Sequence, residues 1–174
     1  MSFGRSQDKV SDLFFNHGNT VTRKKNNCSH YLLGVNPING KYLLMIREEY
    51  DQLSDKIIGS ACYVHKELGP GLLESVYQAC LYEELSYRGI FARREVKVPL
   101  YFRQRLVEKD FRIDLLVEDR IIIEIKAIES IAPVHLAQLL SYLKLSDKWL
   151  GYILNFNVPV MKEGIRRIVN GSPR

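Results

Sequence analysis

The chain is poor in cysteine. Cys28, Cys62 and Cys80 are the only three in 174 residues, an odd and scattered set that excludes a disulfide framework and a paired CxxC zinc site. They are expected as reduced thiols, two of them on helices. No apolar run approaches the roughly 18 residues needed to cross a bilayer, and no basic start leads through an apolar stretch to small residues. Neither a membrane span nor a secretory signal is therefore expected, and the localisation expected is cytoplasmic. No internal repeat is visible, and 174 residues are enough for one core of ordinary size but not for a two-domain enzyme.

Acidic charge is scarce at one end only. Residues 1–44 carry Arg5, Lys9, Arg23, Lys24, Lys25 and Lys41 against Asp8 and Asp12, so most of the net charge of +5 lies there and the remainder is nearly neutral. Binding of nucleic acid by the folded part must therefore come from local chemistry rather than bulk charge. Residues 1–44 also lack a sustained period, because Asn, Ser, Gly and Lys interrupt short apolar clusters such as Leu13-Phe14-Phe15 and Tyr31-Leu32-Leu33. They read as a poorly ordered basic extension, preceding a domain over 45–174. The Arg23-Lys24-Lys25 run is a solvated charge cluster in the plain reading and a weak phosphate attractor or address in the other. Met45 stands where patterning begins and is a candidate natural start. The mass of protein made from the native locus tests that, and a chain beginning near residue 1 ends the idea.

Regular patterning starts at about 48. Tyr50, Leu53, Ile57, Ala61, Val64 and Leu68 recur at three- and four-residue steps, as on an amphipathic helix, until Gly69-Pro70-Gly71 stops them. A second helix over about 72–87 places Leu73, Val76, Tyr77, Cys80, Leu81 and Leu85 on one side. Residues 93–102 alternate as a strand, with Pro99 favouring a sheet edge. Two further strands, about 108–117 and 121–126, form a hairpin, and the β-branched run Ile121-Ile122-Ile123 suggests cover on both faces. Leu136, Leu139, Leu140 and Leu143 predict a helix over 133–146 with those leucines inward. Trp149 to Phe156 reads as another strand, and 158–170 stays open between helix and strand. The order is that of a mixed α/β layer fold.

The hairpin carries the most chemistry. Alternation puts Glu124 and Lys126 on one face. If a three-residue loop of Glu118, Asp119 and Arg120 pairs Val117 with Ile121, Asp114 falls opposite Glu124 and shares that face. A two-residue loop would send the two carboxylates to opposite faces. The lack of Gly in the turn counts against the tight loop, although Asp tolerates the left-handed conformation. Two carboxylates and an ammonium on one face are costly unless a hard cation such as Mg²⁺ or Mn²⁺ joins them, and a metal-activated water beside Lys126 would then be able to attack a phosphodiester. The plain alternative is a solvated surface hairpin with a salt bridge worth under about 1 kcal/mol.

Two other groups are less specific. Glu74 follows the Gly-Pro-Gly break in the first turn of a helix, where the macrodipole alone explains a negative charge. His135, Gln138 and Tyr142 form a polar stripe beside the leucine face of their helix, and most such stripes face solvent.

Together these pieces occur in an order that resembles the GxxExxY family, a branch of the PD-(D/E)XK nuclease superfamily, over nearly all of residues 48–171. The residues that carry the resemblance are Gly71, Glu74 and Tyr77, then Arg112 and Asp114 in the run 111–118, Glu124 and Lys126 in the run Ile-Ile-Glu-Ile-Lys-Ala, His135 and Gln138 with Tyr142-Leu143, and Gly151 to Phe156. The resemblance implies a restriction-endonuclease-like α/β core, a small mixed sheet flanked by helices. It also implies Asp114 and Glu124 as metal ligands with Glu74 completing or tuning the site, Lys126 orienting the attacking water, and Gln138 reaching in from the following helix. Arg112, by strand parity, is a phosphate contact on our own reading. Tyr142 and His135 complete the substrate-binding candidates, with His135 nearer a packing histidine than a catalytic group.

The leading reading is a Mg²⁺-dependent nuclease, with Mn²⁺ as a substitute ion, cutting nucleic acid whose type, DNA or RNA, the sequence leaves undetermined. The alternative is a catalytically inactive nucleic-acid- or protein-binding module on the same fold, which the near-neutral domain favours. A hydrolase of smaller phosphate esters is the third reading. A homodimer stays open, since no apolar stripe is distinct enough to argue one.

Overall fold

The computed structural model describes residues 40–173, apart from the side chains at positions 41, 42 and 108–110. Most of the expected extension, with Arg23-Lys24-Lys25 and Cys28, lies outside the described residues. A long helix, α1 (Gly40–Leu68), leads through a Gly-Pro-Gly turn to α2 (Glu74–Tyr87). There follow β1 (Ala92–Phe102), β2 (Arg105–Val117), β3 (Ile121–Lys126), α3 (Pro133–Leu145) and β4 (Leu150–Asn155), then a 3-10 turn (Met161–Gly164) and β5 (Ile165–Val169). The five strands form one sheet in chain order. Every neighbouring pair is antiparallel except β3 and β4, which are parallel and joined through α3. A parallel pair needs such a crossover, because no short loop can return the chain to the same end of the sheet.

The sheet divides the apolar interior in two. On one face Leu115, Val117, Ile121, Ile123, Ile125, Leu150 and Leu154 pack against Tyr50, Ile57, Ala61 and Val64 of α1 and Tyr77, Leu81 and Leu85 of α2. On the other, Ile113, Leu116, Ile122 and Ile153 meet Leu139, Tyr142 and Leu143 of α3. The isoleucine run of β3 is thus covered on both faces, as its β-branched composition suggests. Pro99 sits on the edge strand β1, beside a register shift between Val98 and Leu100, where its missing N–H costs no ladder bond.

Several expectations from helical periodicity need correction. α1 starts at Gly40, ahead of the apolar period, with Leu44 and Met45 exposed and Ile46 packed against the core. Leu68, Leu73 and Val76 are exposed as well. They flank the break between α1 and α2, and Leu73 is the N-cap of α2 in extended conformation, so helical spacing does not govern where it points. On α3 the inward stripe is Leu139, Tyr142 and Leu143, with Leu136 part exposed one turn too early. The undecided end contains both a short 3-10 turn and a strand.

Candidate active site

The β2–β3 turn has three residues. Val117 pairs with Ile121, Leu116 with Ile122 and Leu115 with Ile123, and Arg120 N–H donates to Val117 O at 2.9 Å. Glu118 and Asp119 take φ of 50° and 52° to make it. This register carries Asp114 towards Glu124, just beyond the last paired positions.

Strand alternation is interrupted at Asp114. Ile113 and Leu115, two residues apart, lie in different cores. Opposite them on β1, Glu95 has φ 51°, and the ladder pairs Arg94 with Leu115 and Val96 with Ile113 while skipping Glu95 and Asp114. Both strands therefore turn over together without a change of register. Parity does not carry from Arg112 to Asp114 across this point. Arg112 Nη1 lies 3.8 Å from Glu95 Oε2 instead, and Glu95 is in turn close enough for its charge to act on Asp114.

Around the interruption four ionisable groups converge. Glu124 is 3% exposed; its Oε1 accepts Lys126 Nζ at 2.7 Å, and its Oε2 has no hydrogen-bond partner. Burial first, and then the Asp114 charge, push the Glu124 carboxyl up from 4.5 to about 7 against the attraction of Lys126. Burial also raises Asp114, opposed by the Ile125 N–H that its Oδ2 accepts at 2.8 Å and by Lys126, and assisted by Glu95 and Glu74. Burial alone would lower Lys126, but the Glu124 hydrogen bond and charge, with Glu74 and Asp114, hold it above the usual lysine value. Glu74 comes from the first turn of α2, where its Oε1 accepts Ala127 N–H at 3.1 Å. It therefore fixes the chain leaving β3 while lending the site negative charge.

The position of Glu74 follows from its neighbours. Gly71 has φ +100°, a conformation that an L side chain rarely adopts. The fully buried Tyr77 stacks on Phe156 at 4.4 Å between ring centroids. Its hydroxyl donates to Gly69 O at 2.6 Å and accepts Leu72 N–H at 3.1 Å. The spacing of glycine, glutamate and tyrosine thus describes a latch: the glycine turns the chain, the tyrosine pins the turn, and the glutamate is delivered at the helix start.

The polar stripe on α3 is a separate group. His135 Nδ1 accepts Ala132 N–H at 3.1 Å, capping the helix, and Gln138 Nε2 donates to the hydroxyl of the buried Tyr142 at 3.1 Å. No hydrogen bond or ion pair among the described residues joins the three to Asp114, Glu124 or Lys126.

Three supporting side chains escape a sequence reading. Gln78, one turn after Glu74, donates to Asp114 O at 3.1 Å and to Glu95 Oε1 at 2.7 Å; its helical spacing from Glu74 is the signal that was available. Glu95 has none, because nothing in its sequence context announces a left-handed residue in a strand. Asn155, buried at the end of β4, accepts Ile128 N–H and donates to Ile128 O at 3.0 and 2.8 Å. It clamps the loop that leaves the site.

Among the described residues no three or more His, Cys, Asp or Glu groups form a ready cage for a metal ion, and no helix is long and apolar enough to cross a membrane. A family model described as the PD-(D/E)XK nuclease superfamily matches residues 51–168. No curated protein and no solved structure matches the chain.

Proposed function

Because the chain belongs to the PD-(D/E)XK nuclease superfamily, we propose that the cluster of Asp114, Glu124 and Lys126, flanked by Glu74, is the centre of a metal-dependent nuclease that hydrolyses phosphodiester bonds. The observation that carries this reading is the buried Glu124 carboxylate, whose Oε2 is unpartnered and which sits against a second carboxylate raised by the same crowding. A buried acid oxygen without a donor is expensive, and a hard cation removes that cost. The pair of carboxylates suits Mg²⁺, which is commonly held by one or two carboxylates with water and substrate phosphate making up the rest. Asp114 and Glu124 would hold it, with Mn²⁺ as a substitute. An ion held by these two residues would supply Lewis-acid polarisation of phosphoryl oxygens and acidification of water.

The remaining work falls to the chain itself. Lys126 stays protonated across the physiological range and, hydrogen bonded to Glu124, presents its ammonium where water and a phosphoryl oxygen must be oriented. Ile125 N–H fixes the orientation of Asp114. Glu74 adds charge without leaving Ala127, and the latch of Gly71 and Tyr77 supports the finer placement in the GxxExxY branch. Arg112 loses the strand-parity argument that placed it with Asp114, and as an exposed guanidinium beside Glu95 it is kept as a phosphate contact on charge and exposure only. Gln138 is kept as a catalytic candidate, and Tyr142 and His135 as substrate-side candidates, on the resemblance alone.

Purified protein incubated with plasmid, single-stranded DNA and RNA, with Mg²⁺, Mn²⁺ or neither, is the test. Cutting is expected with a divalent ion and is expected to fall by at least about 100-fold in Asp114→Asn and in Lys126→Ala. Retained binding with no cutting in any metal would replace the enzyme by a binding module.

A further inference from the structure

β2 is much longer than its contact with the sheet. Only Leu115, Leu116 and Val117 pair with β3, whereas the β1–β2 ladder continues from Val117 out to Phe102 and Arg105. Val98 and Phe111 are, among the described residues of the two strands, the last towards the tip that pack on the second core. Residues 101–106 are all exposed. Three are large and apolar, Tyr101 at 64%, Phe102 at 66% and Leu106 at 56%, which is a poor use of surface unless something covers them.

The tip is also basic. Arg103 lies in the turn and Arg105 directly follows it, no acidic residue lies between Val96 and Val107, and neither arginine is in an ion pair among the described residues. The Arg103 guanidinium lies 5.5 Å from the Phe102 ring centroid. The turn itself has φ of 48° at Arg103 and 63° at Gln104. Hairpins favour Asn-Gly there, and a side-chain-bearing residue in that conformation costs about 1–2 kcal/mol. An arginine held at a strained, exposed tip is the kind of outlier that points to a contact.

From Leu106 back to Asp114 the strand covers about 25 Å, or about seven base-pair steps along a duplex. A two-stranded ribbon fits the major groove of B-form DNA, which is about 12 Å wide, whereas the deep and narrow major groove of A-form RNA excludes it. We propose that the β1–β2 hairpin is a recognition arm for double-stranded DNA, its Tyr101-to-Leu106 tip entering the major groove about seven base pairs from the strand held at Asp114 and Glu124. This rests on the nuclease reading for the class of ligand and adds which nucleic acid is bound and by what. It also gives a nearly neutral domain a local source of positive charge.

The test reads binding rather than cutting. Fluorescence anisotropy with a labelled duplex of about 24 base pairs, in EDTA and across a salt series, is expected to show Arg103→Glu/Arg105→Glu weakened at least about tenfold, its log K against log salt slope flatter by about two. Phe102→Ala is expected to lose affinity with the slope unchanged. Arg103→Lys, a milder change that keeps the charge, is expected to keep the slope. Unchanged duplex affinity and slope in the double variant overturn the arm. So does an equal loss on single-stranded DNA, which would make the tip a stacking platform, and so does wild-type protein that binds no duplex. A wild-type dimer that Phe102→Ala dissociates while duplex binding persists would make the tip a contact between two copies and overturn it too. Because binding is measured without divalent ions, failure to cut overturns the nuclease reading and leaves this result standing, and the reverse holds.

Discussion

At pH 7 Glu124 stands near the midpoint of its titration, since burial and the Asp114 charge raise it from 4.5 to about 7 despite Lys126. A raised carboxyl value means that the folded protein binds the proton more tightly than the unfolded chain does. The ionised group therefore costs stability in full above about pH 7, by about 3 kcal/mol, and the cost vanishes as pH falls below the ordinary glutamate range. The attraction of Lys126 is already included in that shift. Glu124→Gln, which mimics the protonated acid, is expected to be more stable than wild type by about 2–3 kcal/mol at pH 8 and about equal to it at pH 4 and below, measured by urea melts. Equal stability at both pH values would show that the carboxylate is not strained. Mn²⁺ acts in the opposite direction. It should raise the wild-type Tm at pH 8, by about 2.7 kcal/mol of stability at 100 times Kd, and leave Glu124→Gln unmoved. Its affinity should rise between about pH 6 and pH 8, as the competing proton leaves, and isothermal titration reads that directly.

At the scale of elements, the site depends on how α2 begins and how β4 ends. Removing the Tyr77 hydroxyl frees Gly69 O and Leu72 N–H inside the latch. Tyr77→Phe is expected to cost about 1–3 kcal/mol in chemical denaturation and to reduce cutting, because Glu74 is no longer held at its place in the first turn. Cutting unchanged in a destabilised variant would reduce the tyrosine to a packing residue. Gly164 lies at the close of the 3-10 turn, where an added Cβ would come within 2.0 Å of Asn155 O. Backbone must then move, and Asn155 is the clamp on the Ile128 loop. Gly164→Ala is expected to destabilise by about 3 kcal/mol, with thermal melting as the readout.

Across the whole molecule, the two cores share one sheet, and β3 alternates its isoleucines between them. Neither core can be lost without exposing the back of the other. Trp149, the only tryptophan, meets Tyr50 of α1 edge-on at 4.8 Å and donates from Nε1 to Gly171 O at 2.9 Å, so its fluorescence reports on α1, β4 and the C-terminal strand together. Urea unfolding followed by Trp149 emission and by far-UV circular dichroism is expected to give coincident transitions. A split would mean that the α3 side melts alone.

The local chain determined a good deal. Period and breakers were enough for the helices and strands up to about residue 156, because amphipathic spacing and Gly-Pro-Gly act over a few residues, whereas 158–170 and the choice between a two- and a three-residue loop after Val117 were decided by the structure. Glu124 and Lys126 share a face through strand geometry alone. What burial does at element ends was not legible: Leu73 and Leu136 fit a helical stripe, yet Leu73 is exposed and Leu136 only partly covered. Nor was the turn-over at Glu95 and Asp114, which needs both strands at once. Tertiary structure alone decided that Glu124 is dry, that its second oxygen lacks a donor, and that Gln78 and Asn155 brace the site. Each depends on what distant segments place around a group, and a group's neighbours across a sheet are set by packing rather than by its position in the chain.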